Sequence, residues 1–166
     1  MKQIAKNILI SSASSVTFSS IPATYTDLLI LCTVRSSSNA DPSFYWSYNG
    51  DSSVIYNARF LRGSGSSASS FAQSGVGFHR SDGGADGTGE TANTFSSVEI
   101  IIPNYASSIH KSSSLYMVSE NNASAADITV GAALYASTNP ITSINLSVDG
   151  TLAIGSSFYL YGIKKA

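Results

Sequence analysis

The sequence is short of charge. Aspartate, glutamate, lysine and arginine make up 11% of the 166 residues, against about 25% in an ordinary soluble domain. Nine basic residues stand against ten acidic ones. No electrostatic footprint for nucleic acid is left over. One cysteine, Cys32, excludes an internal disulfide. It lies in the run Leu28-Leu29-Ile30-Leu31-Cys32-Thr33-Val34, where it reads as a small buried hydrophobe. No apolar run approaches the roughly 20 residues of a membrane span. The short Ile8-Leu9-Ile10 run after Lys2 and Lys6 is not a secretory signal, which needs about 7–15 apolar residues. No segment keeps a helical period for ten residues or more. Neither a Gly-x-Ser-x-Gly elbow nor a phosphate-cradling glycine motif is present.

In place of charge there is neutral polarity. The chain carries 34 serines, 11 threonines and 10 asparagines, a third of its length. Nine tyrosines, seven phenylalanines and an apolar fraction of 43% exclude charge-driven disorder. Size scaling predicts a folded accessible area of about 7,800 Å² for one domain of this mass. A near-neutral surface of this kind risks self-association in a free monomer. It is read as a surface to be covered by partners or by copies of the same chain.

The apolar residues fall in short runs rich in Ile, Val, Tyr and Phe, which suit a half-buried pleated sheet. Candidate strands are Gln3–Ile10, Ser15–Ser20, Leu28–Ser36, Ser43–Tyr48, Tyr56–Arg62, Phe95–Pro103, Lys111–Ser119, Ile128–Ala136, Ile141–Val148 and Ser157–Lys164. Phe71–Phe78 holds a possible further one. Residues 28, 30, 32 and 34 form one face of their strand, and Leu29 and Leu31 make the second face apolar too, which points to cover on both sides. In the last strand Phe158 and Leu160 oppose Tyr159, Tyr161 and Ile163, giving a core side and an aromatic outer side. Asn49-Gly50 and Asp149-Gly150 read as tight turns, the second joining a hairpin. Gly63–Ser70 and Ser81–Ala92 read as long surface loops. The expected fold is all-β: an antiparallel, jelly-roll-like β-sandwich of about 8–10 short strands in one domain, 1–166. Met1–Ser15 is an attachment arm or an edge strand.

Chemistry-bearing residues are few. Asp82, Asp86 and Glu90 are oxygen donors at regular spacing in a glycine-rich stretch and are the candidate calcium ligands. Against them, Gly84 and Asn93 occupy the third and twelfth places of an EF-hand pattern, so a plain solvated glycine loop is the favoured reading and no metal is expected. His79 and His110 lie in no metal spacing and read as surface or interface histidines. With so many serines, a Ser-His-Asp set drawn on paper carries no information. Two sequons, at Asn122 and Asn145, carry little for the same reason. The densest aromatic cluster is Phe44-Tyr45-Trp46-Ser47-Tyr48. Its reading divides between sandwich core, through Phe44, Trp46 and Tyr48, and a carbohydrate platform or subunit contact. The candidate contact residues are Tyr45, Trp46, Tyr159 and Tyr161. No catalytic residue and no cofactor are expected.

Several segments together resemble a family. Val16–Leu28, with Ser20-Ile21-Pro22-Ala23-Thr24-Tyr25-Thr26-Asp27-Leu28, resembles an opening found in structural proteins of tailed bacteriophages. Asn57–Gly65, Ile102-Pro103-Asn104-Tyr105-Ala106, Glu120-Asn121-Asn122-Ala123, Ile141–Leu146 and Phe158–Ile163 are similar to later segments of that family. The resemblance spans nearly the whole chain and brings no catalytic residues. It implies a non-enzymatic virion structural protein: a capsid decoration, or cement, subunit on the shell surface. The implied partners are itself, as a homo-oligomer and expected trimer, and the major capsid protein or another virion protein. Neither nucleic acid nor membrane is an expected partner. The absence of any shaft or coiled-coil stretch favours decoration over a fibre. The alternative role is a tail or head-fibre module contacting a host glycan or receptor.

Overall fold

The computed structural model describes residues 1–39, 41–122 and 126–164. The sequon at Asn122 and the Glu120–Ala123 segment thus fall partly outside the described residues. Among the described residues twelve strands form, all paired antiparallel, in two sheets. They are β1 (Lys2–Ile8), β2 (Ala13–Phe18), β3 (Asp27–Val34), β4 (Ser43–Tyr48), β5 (Tyr56–Ser64) and β6 (Ser67–Val76). β7 (His79–Gly84), β8 (Ser96–Ile102), β9 (Lys111–Ser119), β10 (Asp127–Tyr135), β11 (Ile144–Leu152) and β12 (Ser157–Ile163) follow. The large sheet runs β1-β12-β3-β8-β9-β10-β5-β6 and the small one β2-β11-β4-β7. The fold is an all-β sandwich. The chain changes sheet repeatedly along its length, so residues distant in sequence share each layer.

Period-two alternation builds the core. In β3, Leu28, Ile30, Cys32 and Val34 are buried while the residues between them are not. β8 and β12 follow the same rule. From the small sheet come Val16, Phe18, Phe44, Trp46, Tyr48, Ile144 and Leu146, all in one buried cluster with the large sheet's inner face. The accessible area is 7763 Å², the value size alone predicts.

Three differences from the sequence reading have clear causes. The strand count is twelve rather than eight to ten, because the two stretches read as loops are partly strand. Gly63–Ser70 is the β5–β6 hairpin, with Ser64 paired to Ser67 across Gly65-Ser66 and Gly65 at φ 56°. Glycine and serine there serve a two-residue turn. Ser81–Gly84 belongs to β7, held beside β4. The third difference is Asp149-Gly150, which is no hairpin turn. It lies inside β11, at an irregularity between Ser147↔Ser15 and Leu152↔Ala13, and Gly150 takes φ 74°. Asn49-Gly50 does turn the chain: both residues have positive φ, and Asp51 N–H donates to Tyr48 C=O at 2.9 Å. That turn carries the chain from one sheet to the other. Met1–Ser15 folds onto its own chain, with β1 paired to β12, and Lys2 and Lys6 guard that sheet edge with charge.

Candidate interaction faces

The candidate calcium ligands do not converge. Asp86 is fully buried and accepts bonds from Ser119 Oγ at 2.6 Å and Asn121 Nδ2 at 3.0 Å. Glu90 Oε2 accepts from Gly87 N–H at 2.6 Å. Asp82 sits on β7 and offers its backbone carbonyl to Arg62 at 2.7 Å. No group of three potential metal-ligating side chains is found among the described residues. The three residues serve separate contacts: Asp86 ties the segment to Ser119 and Asn121, Asp82 to Arg62, and Glu90 holds the segment's own backbone.

His79 corrects an expectation. It is fully buried, not a surface or interface residue. Its ring lies 4.8 Å from Trp46, 4.9 Å from Tyr56 and 5.9 Å from Tyr48, centroid to centroid. Neither ring nitrogen has a hydrogen-bond partner. Burial alone drives its pKa down to about 3, so the imidazole is neutral and packs as an aromatic. His110 is exposed, as expected.

Trp46 takes the core side of its two readings and drops out of the contact candidates. At 1% exposure it belongs to the core, with its Nε1–H donated to Tyr48 Oη at 3.1 Å. It offers no outward platform. Register explains this: Phe44, Trp46 and Tyr48 face inward together, and Tyr45 alone of the expected β4 contact residues faces outward.

The outer face of the large sheet unites the other two contact candidates. Cross-strand register places Lys6, Tyr159, Leu31, Glu99, Tyr116, Val130, Leu61 and Ser70 in one continuous row. The next row is Gln3, Tyr161, Leu29, Ile101, Ser114, Ala132, Arg59 and Ala72. Tyr159 and Tyr161 stack at 6.5 Å. Leu61 is 63% exposed, Tyr116 46%, Ile128 46% and Val130 41%. Around Leu61 and Val130 lies an open depression of about 670 Å³, lined also by Arg59, Ser70, Ala72 and Ala132. Eight strands at about 4.8 Å spacing and some 20 Å of strand length give this face roughly 700 Å². Leu29 and Leu31 do make the outer side of β3 apolar, but the expected cover is absent: they are half-buried within their own sheet and no described segment packs over them. Sequence reasoning missed Leu61, Val130 and Tyr116. The signal was available as alternation in β5, β9 and β10, but each strand was weighed by itself.

The outer face of the small sheet is different in kind. Thr17, Asn145 and Ser47 form one row, and Ser15, Ser147 and Tyr45 the next, with Arg80 beyond Tyr45. The Tyr45 hydroxyl donates to Asp149 Oδ1 at 2.7 Å, and Ser43 N–H donates to Oδ2 at 2.9 Å. Burial first, and the Asp149 bond second, hold the Tyr45 phenol above its usual range. The β11 irregularity aims Asp149: Ser36 Oγ donates to the Asp149 carbonyl, and Thr151 N–H donates to Ser37 Oγ at 3.0 Å. A Cβ on Gly150 would meet Ser37 Oγ at 2.8 Å, so the close fit needs glycine.

No family model matches the chain, and no curated protein or solved structure matches it significantly.

Proposed function

We propose that this chain is a non-enzymatic structural protein of a tailed-phage virion: a capsid decoration subunit that assembles as a homo-oligomer, a trimer, on the shell. The family resemblance supplies the setting. The observation that carries the reading is the large sheet's outer face. Some 700 Å² of Tyr, Leu, Val, Ile and Ser approaches the roughly 800 Å² per partner of a standard specific interface. Only three charged residues, Lys6, Glu99 and Arg59, fall in its two central rows. Covering it removes apolar area from water, at about 25 cal/mol per Å² before the costs of association. Serine hydroxyls can pair across the contact without the desolvation penalty of ions. Copies seated on neighbouring capsomers through such faces would cement the shell against internal pressure.

The test is particle stability with and without the protein. Shells lacking it should burst at lower temperature or milder osmotic shock than complete ones, and hundreds of copies should lie on the shell. Equal survival, or a few copies at the tail, would reject the decoration role.

A further inference from the structure

The small sheet's outer face holds a cleft of about 380 Å³. Its walls come from β4, β11 and the Phe78 bend before β7. The volume lies near the lower end of small-ligand sites, about 300–1,000 Å³. We propose that this cleft binds a neutral saccharide of one or two pyranose rings, packed on Phe78 and hydrogen-bonded to Asp149, Asn145, Ser47 and Ser147.

Phe78 is the first ground. It is 43% exposed on a face otherwise made of Ser, Thr, Asn and Tyr with Asp149 and Arg80. Its ring meets Tyr45 edge-on at 5.4 Å, which fixes its tilt and leaves ring surface free. The electron-rich face of an aromatic ring attracts partly positive groups. The C–H bonds on one side of a pyranose ring are such groups.

The polar lining is the second ground. Each Asp149 oxygen already takes one bond, from Tyr45 or Ser43. An ionised carboxylate has about four acceptor sites, so two remain for ligand hydroxyls. Asn145 Nδ2 donates to Thr17 Oγ1 at 2.8 Å, and its carbonyl oxygen takes no bond from a described residue. Ser47 lies across from it on β4 and Ser147 two residues along β11, and each hydroxyl can donate and accept. Acceptors and two-way hydroxyls beside one aromatic ring match vicinal sugar hydroxyls above an apolar ring face.

Charge decides the class of sugar. Asp149 is the one charged side chain among the described residues that line the cleft; Arg80 stands beyond Tyr45, outside the lining. An acidic saccharide, a phosphate or a nucleic acid would meet its repulsion. A purely apolar ligand would desolvate it without replacing its water. The groups sit on paired strands, so little ordering cost opposes binding.

The face is opposite the one assigned to assembly, so the two proposals stand or fall separately. The full chain should be titrated by saturation-transfer NMR and screened on an array bearing neutral, sialylated and sulfated oligosaccharides. Neutral glycans should bind. Phe78→Leu, which keeps an apolar side chain but removes the ring, should weaken binding at least tenfold, and Asn145→Ala several-fold, with unchanged circular dichroism. Ile109→Ser, on the exposed β8–β9 loop outside both faces, should leave affinity unchanged. Absence of neutral-glycan binding at millimolar concentration, retention of acidic glycans alone, or full affinity in Phe78→Leu would each overturn the assignment.

Discussion

Arg62 on β5 grips Asp127 on β10 with a two-pronged bond, Nε to Oδ1 at 3.1 Å and Nη2 to Oδ2 at 2.6 Å. The same guanidinium reaches Asp41 Oδ2 at 2.5 Å and the Asp82 carbonyl at 2.7 Å. One side chain thus ties two strands of the large sheet to the 41 loop and to β7 of the small sheet. The Asp127 bond first, and the Asp41 bond with it, hold the guanidinium pKa above its ordinary value. With side-chain exposures of 16% for Arg62 and 4% for Asp127, the pair is largely withdrawn from solvent. Asp127→Ala should destabilise the fold by about 1–3 kcal/mol, because it removes both prongs of the bond from a mostly buried cation and leaves it only the more exposed Asp41. Arg62→Met with Asp127→Leu should recover much of that loss. Urea unfolding of the single and double variants measures both.

His79 makes stability depend on pH. Its folded pKa is about 3 against 6.5 for the free side chain. The unfolded chain therefore takes up the proton first as pH falls. The contribution is complete above about pH 6.5 and is lost progressively down to about pH 3. From pH 7 to pH 4 the protein should lose roughly 3 kcal/mol through this group. Denaturant curves of His79→Phe and the parent, compared at both pH values, isolate the effect. The variant should show a loss smaller by that amount.

Gly131 lies opposite Phe60 across the β10–β5 pair. A Cβ placed on it would stand 2.3 Å from the Phe60 ring. The Gly131 backbone φ is not positive, so the obstacle is the ring and not the conformation. Gly131→Ala should cost about 1–3 kcal/mol by overpacking. Adding Phe60→Leu should reduce the increment, since the ring is what the methyl strikes. A double-mutant cycle in thermal unfolding reads the coupling.

Val130 and Leu61 are direct neighbours on the large sheet's outer face. Lysine at both positions should leave monomer stability within about 0.5 kcal/mol, as surface changes usually do. The oligomer, in contrast, should weaken at least ~10-fold, since two unpaired charges would have to be desolvated. Sedimentation velocity over a concentration series distinguishes the outcomes. An unchanged association profile would place the interface elsewhere.

Cys32 is buried and desolvation raises its thiol pKa. It should stay silent to an aromatic disulfide reagent in the folded protein and react fully in denaturant. Fast modification of the native state would contradict the burial.

The sequence by itself determined the class of fold and most of its strands. Ser43–Tyr48 and Lys111–Ser119 have the bounds expected of them, because alternation and turn residues are local signals. It also determined the inward set Phe44, Trp46 and Tyr48, and the outward pair Tyr159 and Tyr161. Tertiary structure decided the rest. His79 has no apolar periodicity around it, and only the approach of β7 to β4 closes the aromatic cage. Asp86 looks like a ligand in sequence; its partners Ser119 and Asn121 arrive from more than 30 residues away. The two outer faces were invisible for the same reason. Each row is assembled one or two residues at a time from strands scattered along the chain. A one-dimensional pattern fixes which side of its own strand a residue takes, but only pairing decides its neighbours.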